Sequence, residues 1–433
     1  MKKKVYVSLL SGLFVACSPS PSTIDEPIAT TQNVGKVLDV GYVYHGIDGN
    51  RLVTGTANLS TTTPIDIDLP ARANWLAAVH SGNDSYWVAV LENGEAKAYK
   101  LSGSVATEVS LTPARVNKET QPVPVLQEDG TLALANVFAG ASTYTSPVIL
   151  DYATGKRAYI ADNGDLVVND GGNLQRLAIN ALGYARILVD EDQRVAVLTG
   201  PTLRYAHQVL GNEHENAASI TIVETSPALK VLSKIDVPSN DVIEGNPLIW
   251  VDVDGDGQRE LVTTVSNITQ GARVVVYKED GTVLSQSAPI GSAYRWRHQV
   301  AVAPFGGGTE QQLVSVYIPH LGPVLEYIDM TNGSRNTSNS TLNYSSHLQI
   351  SLNLDKSLTG DFDGDGKLEI LLLNRSSRAE LAAFELGENG VAKDWALALN
   401  DEFTSNLAAV QLDNGAIVLG AGQNRQLLLW PSE

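Results

Sequence analysis

The stretch DVDGDGQREL, residues 252–261, places acidic side chains at alternate positions of a glycine-rich run. Asp252, Asp254 and Asp256 are followed, four residues after the last of them, by Glu260. Carboxylates at the first, third and fifth positions of a tight glycine turn suit a hard cation with oxygen ligands. Four carboxylates held this close repel one another unless a cation lies between them. The stretch therefore predicts a calcium-binding loop.

A second stretch, DFDGDGKLEI at residues 361–370, repeats the same acids, glycines and flanking apolar residues. An EF-hand would need a glutamate at position twelve and helices on both sides, but Thr263 and Leu372 occupy that position and short β-branched runs flank both loops. We expect structural calcium, bound with an affinity on the order of 10⁻⁴ to 10⁻³ M. The predicted ligands are Asp252, Asp254, Asp256, the carbonyl of Gln258 and Glu260 in the first loop, and Asp361, Asp363, Asp365, the carbonyl of Lys367 and Glu369 in the second.

Further copies of the loop recur at a regular interval along the chain. PFGGGTEQQL, residues 304–313, aligns without a gap but lacks the acids, and VDEDQRVAVLTG, residues 189–200, keeps Asp190 and Asp192. With loops near residues 80, 127, 190, 252, 304, 361 and 411, the chain divides into seven units of about 55 residues, each one supersecondary unit. We expect two calcium sites, a weaker third near Asp190 and Asp192, and none near residue 304.

Each unit is predicted to consist of antiparallel strands. Apolar, β-branched runs flank the loops, and turn dipeptides such as Asn93-Gly94, Asp280-Gly281 and Asn389-Gly390 favour tight hairpins. A ring of such units is a β-propeller, which leaves few unprotected sheet edges. We expect residues 40–57 and residues 423–431 to share one blade and so to close the ring.

The two intact loops, DxDGDGxxE between strands at a repeat interval, resemble the FG-GAP or VCBS repeats of integrin-α-type propellers. The resemblance is strong over residues 185–385 and rests on spacing elsewhere. It implies an all-β fold, a seven-bladed β-propeller with calcium-binding hairpin loops over residues 34–433. It also implies a binding, adhesion or scaffold role without catalysis. The alternative, that the acids and glycines only form soluble turns, stays open.

The first residues, MKKKVYVSLLSGLFVACSPS, predict export. Three lysines and a short apolar run over residues 1–16 are typical of a signal peptide. FVAC resembles a lipobox, and Cys17, the only cysteine, is the predicted lipidation site; a free thiol after ordinary cleavage is the alternative. Residues 17–33 are rich in Ser, Thr and Pro and predict a flexible tether. Ser18 favours the outer membrane, so we expect an anchored lipoprotein facing the periplasm or the cell surface.

The charge of the chain limits its partners. A formal net charge of -18 repels nucleic acid and anionic lipid, so we expect membrane contact only through the lipid anchor. The expected partner is a protein or a glycan that the sequence does not identify, and we expect a monomer.

Residues 291–299, GSAYRWRHQ, concentrate Tyr294, Arg295, Arg297 and His298. This set could contact an anionic sugar, and Tyr, Arg and His together also serve polysaccharide lyases. Similar histidines follow aromatic residues at His207 and at His347 of NYSSHLQI, which favours a packing role. Two alternatives to a plain binding module therefore remain. One is a glycan-binding protein or polysaccharide lyase; the other is an envelope scaffold similar in role to the propeller lipoprotein of the outer-membrane protein insertion machine.

Overall fold

The computed structural model describes residues 47–135, 139–145, 147–211, 214–337, 343–349 and 351–431. For residues 335–337 it describes the backbone alone. The predicted signal peptide over residues 1–16, the lipidation site Cys17 and the tether over residues 17–33 lie outside the described residues. No helix in the described part is long and apolar enough to cross a membrane.

The described chain is built from short β-strands, which fall into successive groups joined by tight turns. The chain begins with β1 (Leu52–Thr56), the 3-10 turn Leu59–Thr61 and β2 (Ile65–Asp68). The first four groups are β3–β6 (Ala73–Ser81, Asp84–Leu91, Ala96–Ser102, Val105–Val109), β7–β9 (Leu111–Thr112, Pro124–Leu126, Leu132–Leu134), β10–β13 (Val148–Asp151, Lys156–Ile160, Asp165–Asp170, Asn173–Ala178) and β14–β17 (Leu188–Val189, Val195–Thr202, Asn216–Glu224, Lys230–Asp236). The other four are β18–β22 (Val242–Ile243, Ile249–Val251, Glu260–Asn267, Gly271–Tyr277, Val283–Gln286), β23–β26 (Arg297–Ala303, Gln312–Tyr317, Val324–Asp329, Arg335–Thr337, with the 3-10 turn Phe305–Gly307), β27–β31 (Tyr344–Ser345, Leu358–Asp361, Glu369–Asn374, Glu380–Gly387, Gly390–Ala398) and β32–β34 (Phe403–Gln411, Ile417–Gln423, Gln426–Pro431).

The predicted all-β class is confirmed, and the groups are arranged as in a β-propeller. One cavity is lined by side chains from six groups or the loops that lead into them, which requires the groups to converge on a common centre. Beside it, the fully buried carboxylate of Asp355 pairs with Arg51, with Arg186 at 2.7 Å and with Gln121 at 2.8 Å. The lining residues are Trp75, Glu119, Gln121, Tyr144, Tyr184, Arg186, Asn246 and Leu352.

The predicted count of seven blades is not confirmed. The described strands form seven hydrogen-bonded sheets, but one of them, β14–β22, has nine strands and spans two sequence repeats, and we count it as two groups. This gives eight groups, because a four-stranded sheet, β10–β13, lies between the repeats near residues 127 and 190. The turn between β10 and β11, residues 151–156 (DYATGK), keeps Asp151, which accepts from the Ala153 amide at 2.8 Å, but has neither the further alternating aspartates nor a run of glycines. A turn without that pattern does not stand out in a search for repeats of the acidic, glycine-rich loop.

The two ends of the described chain meet in one sheet, as predicted, but through a different segment. β2 pairs antiparallel with β34, Ile65 opposite Leu429, and so completes the last group as a four-stranded sheet. Its sequence IDID alternates apolar and acidic residues, the pattern of an edge strand with one buried face. β1, from the expected segment 40–57, instead runs parallel to β28.

The segment that includes β1 crosses the first strands of several groups. Its backbone and its Asn50 side chain bond in turn to the fourth, fifth, sixth, seventh and eighth groups, so this segment ties five groups together. The contacts are Ile47 O with Val189 N at 2.8 Å, Asp48 O with Trp250 N at 2.8 Å, Asn50 Nδ2 with Val302 O at 2.8 Å, Arg51 O with Thr359 N at 2.9 Å, and Thr56 N with Gly415 O at 3.0 Å.

Neighbouring groups pack through large apolar side chains. Trp87 in β4 is fully buried against the last group, where Gly420 in β33 leaves room for the indole ring. A Cβ atom added at Gly420 would lie 2.1 Å from the ring atom Cζ3 of Trp87. The glycine is therefore required by the close approach of the two sheets.

The turns of the groups lie on two opposite rims. In the fifth group β18 and β19 both pair with β20, and in the seventh β27 and β28 both pair with β29, so each of these two pairs counts as one interrupted first strand. Because neighbouring strands are antiparallel, turns between the first and second strands of each group share one rim with turns between the third and fourth. We call this the calcium-loop rim, since it holds the loops 252–259 and 361–368, which are predicted to bind calcium. Turns between the second and third strands, and the loops that connect groups, lie on the opposite rim.

Candidate metal centres and the aromatic cluster

The loop after β28 is shaped by its own carboxylates. Asp361 Oδ1 accepts a hydrogen bond from the Gly364 amide at 2.8 Å, and Asp365 Oδ1 accepts one from the Lys367 amide at 2.8 Å. Gly364 and Gly366 both adopt φ of 84°, a backbone region that glycine enters without a steric penalty. The alternating Asp-Gly sequence thus folds each aspartate back over the turn.

This second loop brings its four predicted carboxylates together. Oxygen atoms of Asp361, Asp363, Asp365 and Glu369 all lie within 4.8 Å of one another. Glu369 is fully buried; its Oε2 accepts a hydrogen bond from the Phe362 amide at 2.7 Å, while its Oε1 has no hydrogen-bond partner among the described residues. Burial, reinforced by the three aspartates, raises the pKa of Glu369 to about 8. A buried oxygen without a partner, facing three carboxylates, fits a bound divalent cation.

The first loop, after β19, is similar in backbone but not in charge. Asp252, Asp254 and Glu260 form a cluster within 4.8 Å, and Glu260 Oε2 accepts from the Val253 amide at 2.9 Å. The ammonium of Lys278 lies across this cluster. Its Nζ is 3.4 Å from Asp254 Oδ2, 3.1 Å from Asp256 Oδ2 and 3.9 Å from Glu260 Oε1. Asp256, a predicted ligand, is thus engaged by the lysine rather than grouped with the other three.

Strand register explains the difference between the loops. Leu261 pairs with Tyr277, which places Lys278 opposite Glu260, whereas in the second loop Glu369 pairs with Glu385. The same cross-strand position therefore carries a cation beside the first loop and an acid beside the second.

The second loop has further charged neighbours. Glu385 and Asp365 both pair with the side chain of Lys367, at 2.8 and 3.0 Å. Burial and a hydrogen bond with Asp363 raise the pKa of Asp394 in β31, so a fifth carboxylate borders this cluster. Lys278, Glu385 and Asp394 are not indicated by the sequence, because each is distant from its loop along the chain and approaches it only through the strand register.

The remaining predicted positions in the loops have simpler environments. The amide groups of Gln258 and Lys367 each donate at 2.8 Å to the aspartate two residues earlier, and the ligand role of their carbonyls stays a prediction. At the expected third site, Asp190 pairs with Arg194 at 2.6 Å, and the described residues form no third cluster of acids there. A guanidinium group thus supplies the positive charge that a cation would otherwise supply.

The four residues predicted to contact a ligand do not share one surface. Arg297 is fully buried, where it pairs with Glu326 and donates to Ser287 Oγ at 3.0 Å. His298 is also buried, with Nδ1 2.6 Å from Ser346 Oγ, and burial lowers its pKa to about 3. Arg297 and His298 therefore pack inside the fold and do not offer a sugar-binding face.

Tyr294 and Arg295, in contrast, lie on the opposite rim, where Tyr294 is 42% exposed. The Tyr294 ring stacks on Tyr205 at 5.5 Å between centroids, and the Tyr294 amide donates to the Tyr205 hydroxyl at 2.7 Å. His207 contacts both rings and bonds through Nδ1 to the buried carboxylate of Glu244. The paired carboxylate, missed by sequence analysis, holds the histidine in place.

Three buried or partly buried histidines, His298, His320 and His347, are joined in a hydrogen-bonded chain. His320 Nε2 lies 2.8 Å from His347 Nε2, and Ser346 bridges His347 to His298. Burial lowers the pKa of His320 to about 4 and that of His347 well below its usual value, which favours the neutral form of both. These contacts support the packing interpretation of the repeated histidines.

Comparison with known proteins gives fold-level similarity only. No family model matches the sequence, and no curated protein matches it. Among solved structures, a chain of a mitotic checkpoint complex is 11% identical, with a TM-score of 0.47 over 88% of this chain and 96% of that one. The WD40 β-propeller domain of Doa1 is 9% identical, with a TM-score of 0.39 over 88% and 98%. Both similarities are too low to support an argument, so the propeller-type fold rests on the strands and contacts described above.

Proposed function

We propose that this protein is a calcium-stabilised β-propeller of the FG-GAP or VCBS type that serves as a binding or scaffold module of the bacterial envelope. The observation that carries the calcium assignment is Glu369: its carboxylate is grouped with Asp361, Asp363 and Asp365, and its buried Oε1 has no hydrogen-bond partner among the described residues. A divalent cation would satisfy that oxygen and offset the repulsion among the four carboxylates.

Calcium at this position would have a structural role. It would hold the loop between β28 and β29 against the buried first residue of β29, and so stabilise that loop of the seventh group. In the first loop Lys278 already supplies one positive charge, so we expect that loop to bind calcium more weakly than the second. An exported protein meets millimolar calcium, the range that suits such loops.

Calorimetric titration of the purified protein with calcium tests this proposal. We expect one site per chain assigned to the second loop, with a weaker one from the first. Asp363→Ala should abolish the stronger site, while Asp129→Ala, which removes an exposed turn aspartate outside both clusters, should leave it intact. Absence of binding at millimolar calcium, with the fold intact by circular dichroism, would refute the calcium assignment.

The envelope role rests on the sequence of the first residues and has its own test. We propose that Cys17 carries a lipid, that residues 17–33 tether the propeller, and that the protein is held at the outer membrane. Labelling with radioactive palmitate should mark the wild-type protein but not Cys17→Ser, and the variant should leave the membrane fraction. Equal labelling of both would refute lipidation at Cys17. Protease treatment of intact cells would then distinguish the cell surface from the periplasm.

A further inference from the structure

Exposed apolar side chains are unevenly distributed over the described surface. Ten large ones are at least 41% exposed. Five belong to the outermost strands of four groups, and Ile47 begins the described chain. The other four, with exposures from 42 to 69%, lie on the rim opposite the calcium loops, in the fourth to sixth groups. These four, Leu203, Ile268, Tyr294 and Leu321, define what we call the apolar rim.

Hydrogen bonds and a ring contact join the loops that carry the four residues of the apolar rim. Leu203 lies two residues before Tyr205, whose ring stacks on Tyr294. The loop that carries Ile268 is joined to the loop before Tyr294, because the Gly291 amide donates to Gln270 O at 2.8 Å. The turn that carries Leu321 is joined to the same loop through the Ile318 amide and Trp296 O at 2.9 Å. The four side chains therefore belong to adjacent turns.

The charge of this rim is opposite to that of the whole chain. Arg204 donates only to backbone carbonyls, at 2.6 Å to Asp241 O, and Arg295 donates to Tyr294 O at 3.0 Å. Neither arginine forms an ion pair within the described structure. Two nearby acids are already engaged: Asp241 pairs with Arg273 at 2.6 Å, and Glu244 pairs with His207. Glu215, at the far end of the loop that carries Leu203, is exposed. Against this one exposed acid, Arg204 and Arg295 leave a small excess of positive charge beside the apolar side chains, in a chain of net charge -18.

We propose that the apolar rim docks a segment of a partner protein that carries apolar side chains flanked by acidic ones. This deepens the proposed binding role and rests on that part of the proposed function, not on calcium. Apolar side chains would cover the four exposed residues, and carboxylates would pair with Arg204 and Arg295.

Charge also argues against other occupants. A symmetric contact between two copies of this rim would bring the arginines of one copy towards those of the other, and like charges oppose such a dimer. The negative net charge of the chain opposes close approach to an anionic membrane. The segment at Ile47, by which the chain enters the described structure, lies against Val189 on the calcium-loop rim, so the apolar rim faces away from it.

Selection from a phage library of random peptides of about twelve residues tests the proposal. We expect the enriched peptides to combine apolar and acidic residues. A synthetic copy of the enriched sequence, labelled with fluorescein, should bind at least tenfold more weakly to Leu203→Ser/Leu321→Ser and to Arg204→Glu/Arg295→Glu. Binding to the wild type should weaken as NaCl rises from about 50 to about 300 mM, because salt screens the arginines. The matched control, Val105→Ser/Val283→Ser on outer strands, should bind like the wild type.

Several outcomes would overturn the docking proposal. They are failure to enrich any peptide, enrichment of basic peptides, and equal binding by the rim variants and the wild type. Sedimentation that shows a dimer lost in the rim variants would assign the surface to a second copy instead. Calcium titration of the same preparations separates the two proposals, because the rim variants should keep calcium binding whether or not they bind peptide. Thermal unfolding of each variant confirms that it is folded.

Discussion

Removal of the Lys278 ammonium should strengthen calcium binding by the first loop. Nζ lies 3.1 Å from Asp256 Oδ2 and 3.4 Å from Asp254 Oδ2, so calcium must displace it or bind beside it. A divalent ion and an ammonium group about 6 Å apart in water repel enough to change a binding constant about tenfold. Lys278→Gln should therefore increase the calcium affinity of this loop about tenfold.

The charge-reversed variant extends the test. Lys278→Glu reproduces the arrangement beside the second loop, where Glu385 stands opposite Glu369, and should increase the affinity more than Lys278→Gln. Calorimetry in an Asp363→Ala background isolates the first loop, because the second is then disabled. Lys234→Gln, which removes an exposed lysine paired with Asp236, is the matched control and should change nothing. An unchanged or lower affinity in Lys278→Gln would show that the lysine does not compete with the cation.

Three further predictions concern stability. Saturating calcium should raise the Tm of the wild type more than the Tm of Glu369→Gln, measured by scanning calorimetry. An equal rise in both proteins would contradict the role of Glu369 as a calcium ligand. Acid should destabilise the fold as pH falls from 6.5 towards 4, because the pKa of His298 is lowered to about 3 and that of His320 to about 4, so the unfolded chain binds more protons in this window. The free energy of unfolding should change by about 1.4 kcal/mol per pH unit for each additional proton that the unfolded chain binds. His320→Gln should therefore make the urea midpoint of unfolding less dependent on pH. An unchanged pH dependence of the midpoint would contradict this. Gly420→Ala should cost about 1–3 kcal/mol or more, since the added Cβ meets Trp87 at 2.1 Å.

Control variants exist for two of these predictions. Glu388→Gln changes an exposed acid near the second loop and should not alter the calcium-dependent rise in Tm. Gly387→Ala adds a methyl group whose nearest neighbour is 3.8 Å away, so it should be tolerated where Gly420→Ala is not. Equal loss of stability in both glycine variants would mean that the cost of Gly420→Ala does not arise from the Trp87 contact.

The sequence predicted the strands and one acidic cluster well because both depend on local chemistry. Alternating Asp and Gly residues fold their own loop, so the four carboxylates at 361–369 were found from their spacing alone. The unit β10–β13 was missed because its turn lacks the alternating aspartates and glycines of the other loops, and Lys278 was missed because it reaches Glu260 only through strand pairing.

The aromatic cluster shows a second limit of sequence analysis. Alternation along β23 sends neighbouring residues to opposite faces, but nothing local shows that both faces are covered. Arg297 and His298 are therefore both buried, although polar and charged side chains such as these are usually exposed. Glu244, the partner of His207, lies 37 residues away and comes close only after the sheets pack.

The segment from Ile47 to Thr56 has a consequence for the order in which the protein can be made. Its contacts reach as far as Gly415, and β2 pairs with β34 at the end of the described chain. A chain that emerges from the ribosome with its first residues leading holds two strands, β1 and β2, whose partners β28 and β34 are made late. These strands stay unpaired through most of synthesis, and a product truncated before β32 would leave both the crossing segment and β2 incomplete. Final assembly is therefore a late event, limited by contacts that are distant along the chain.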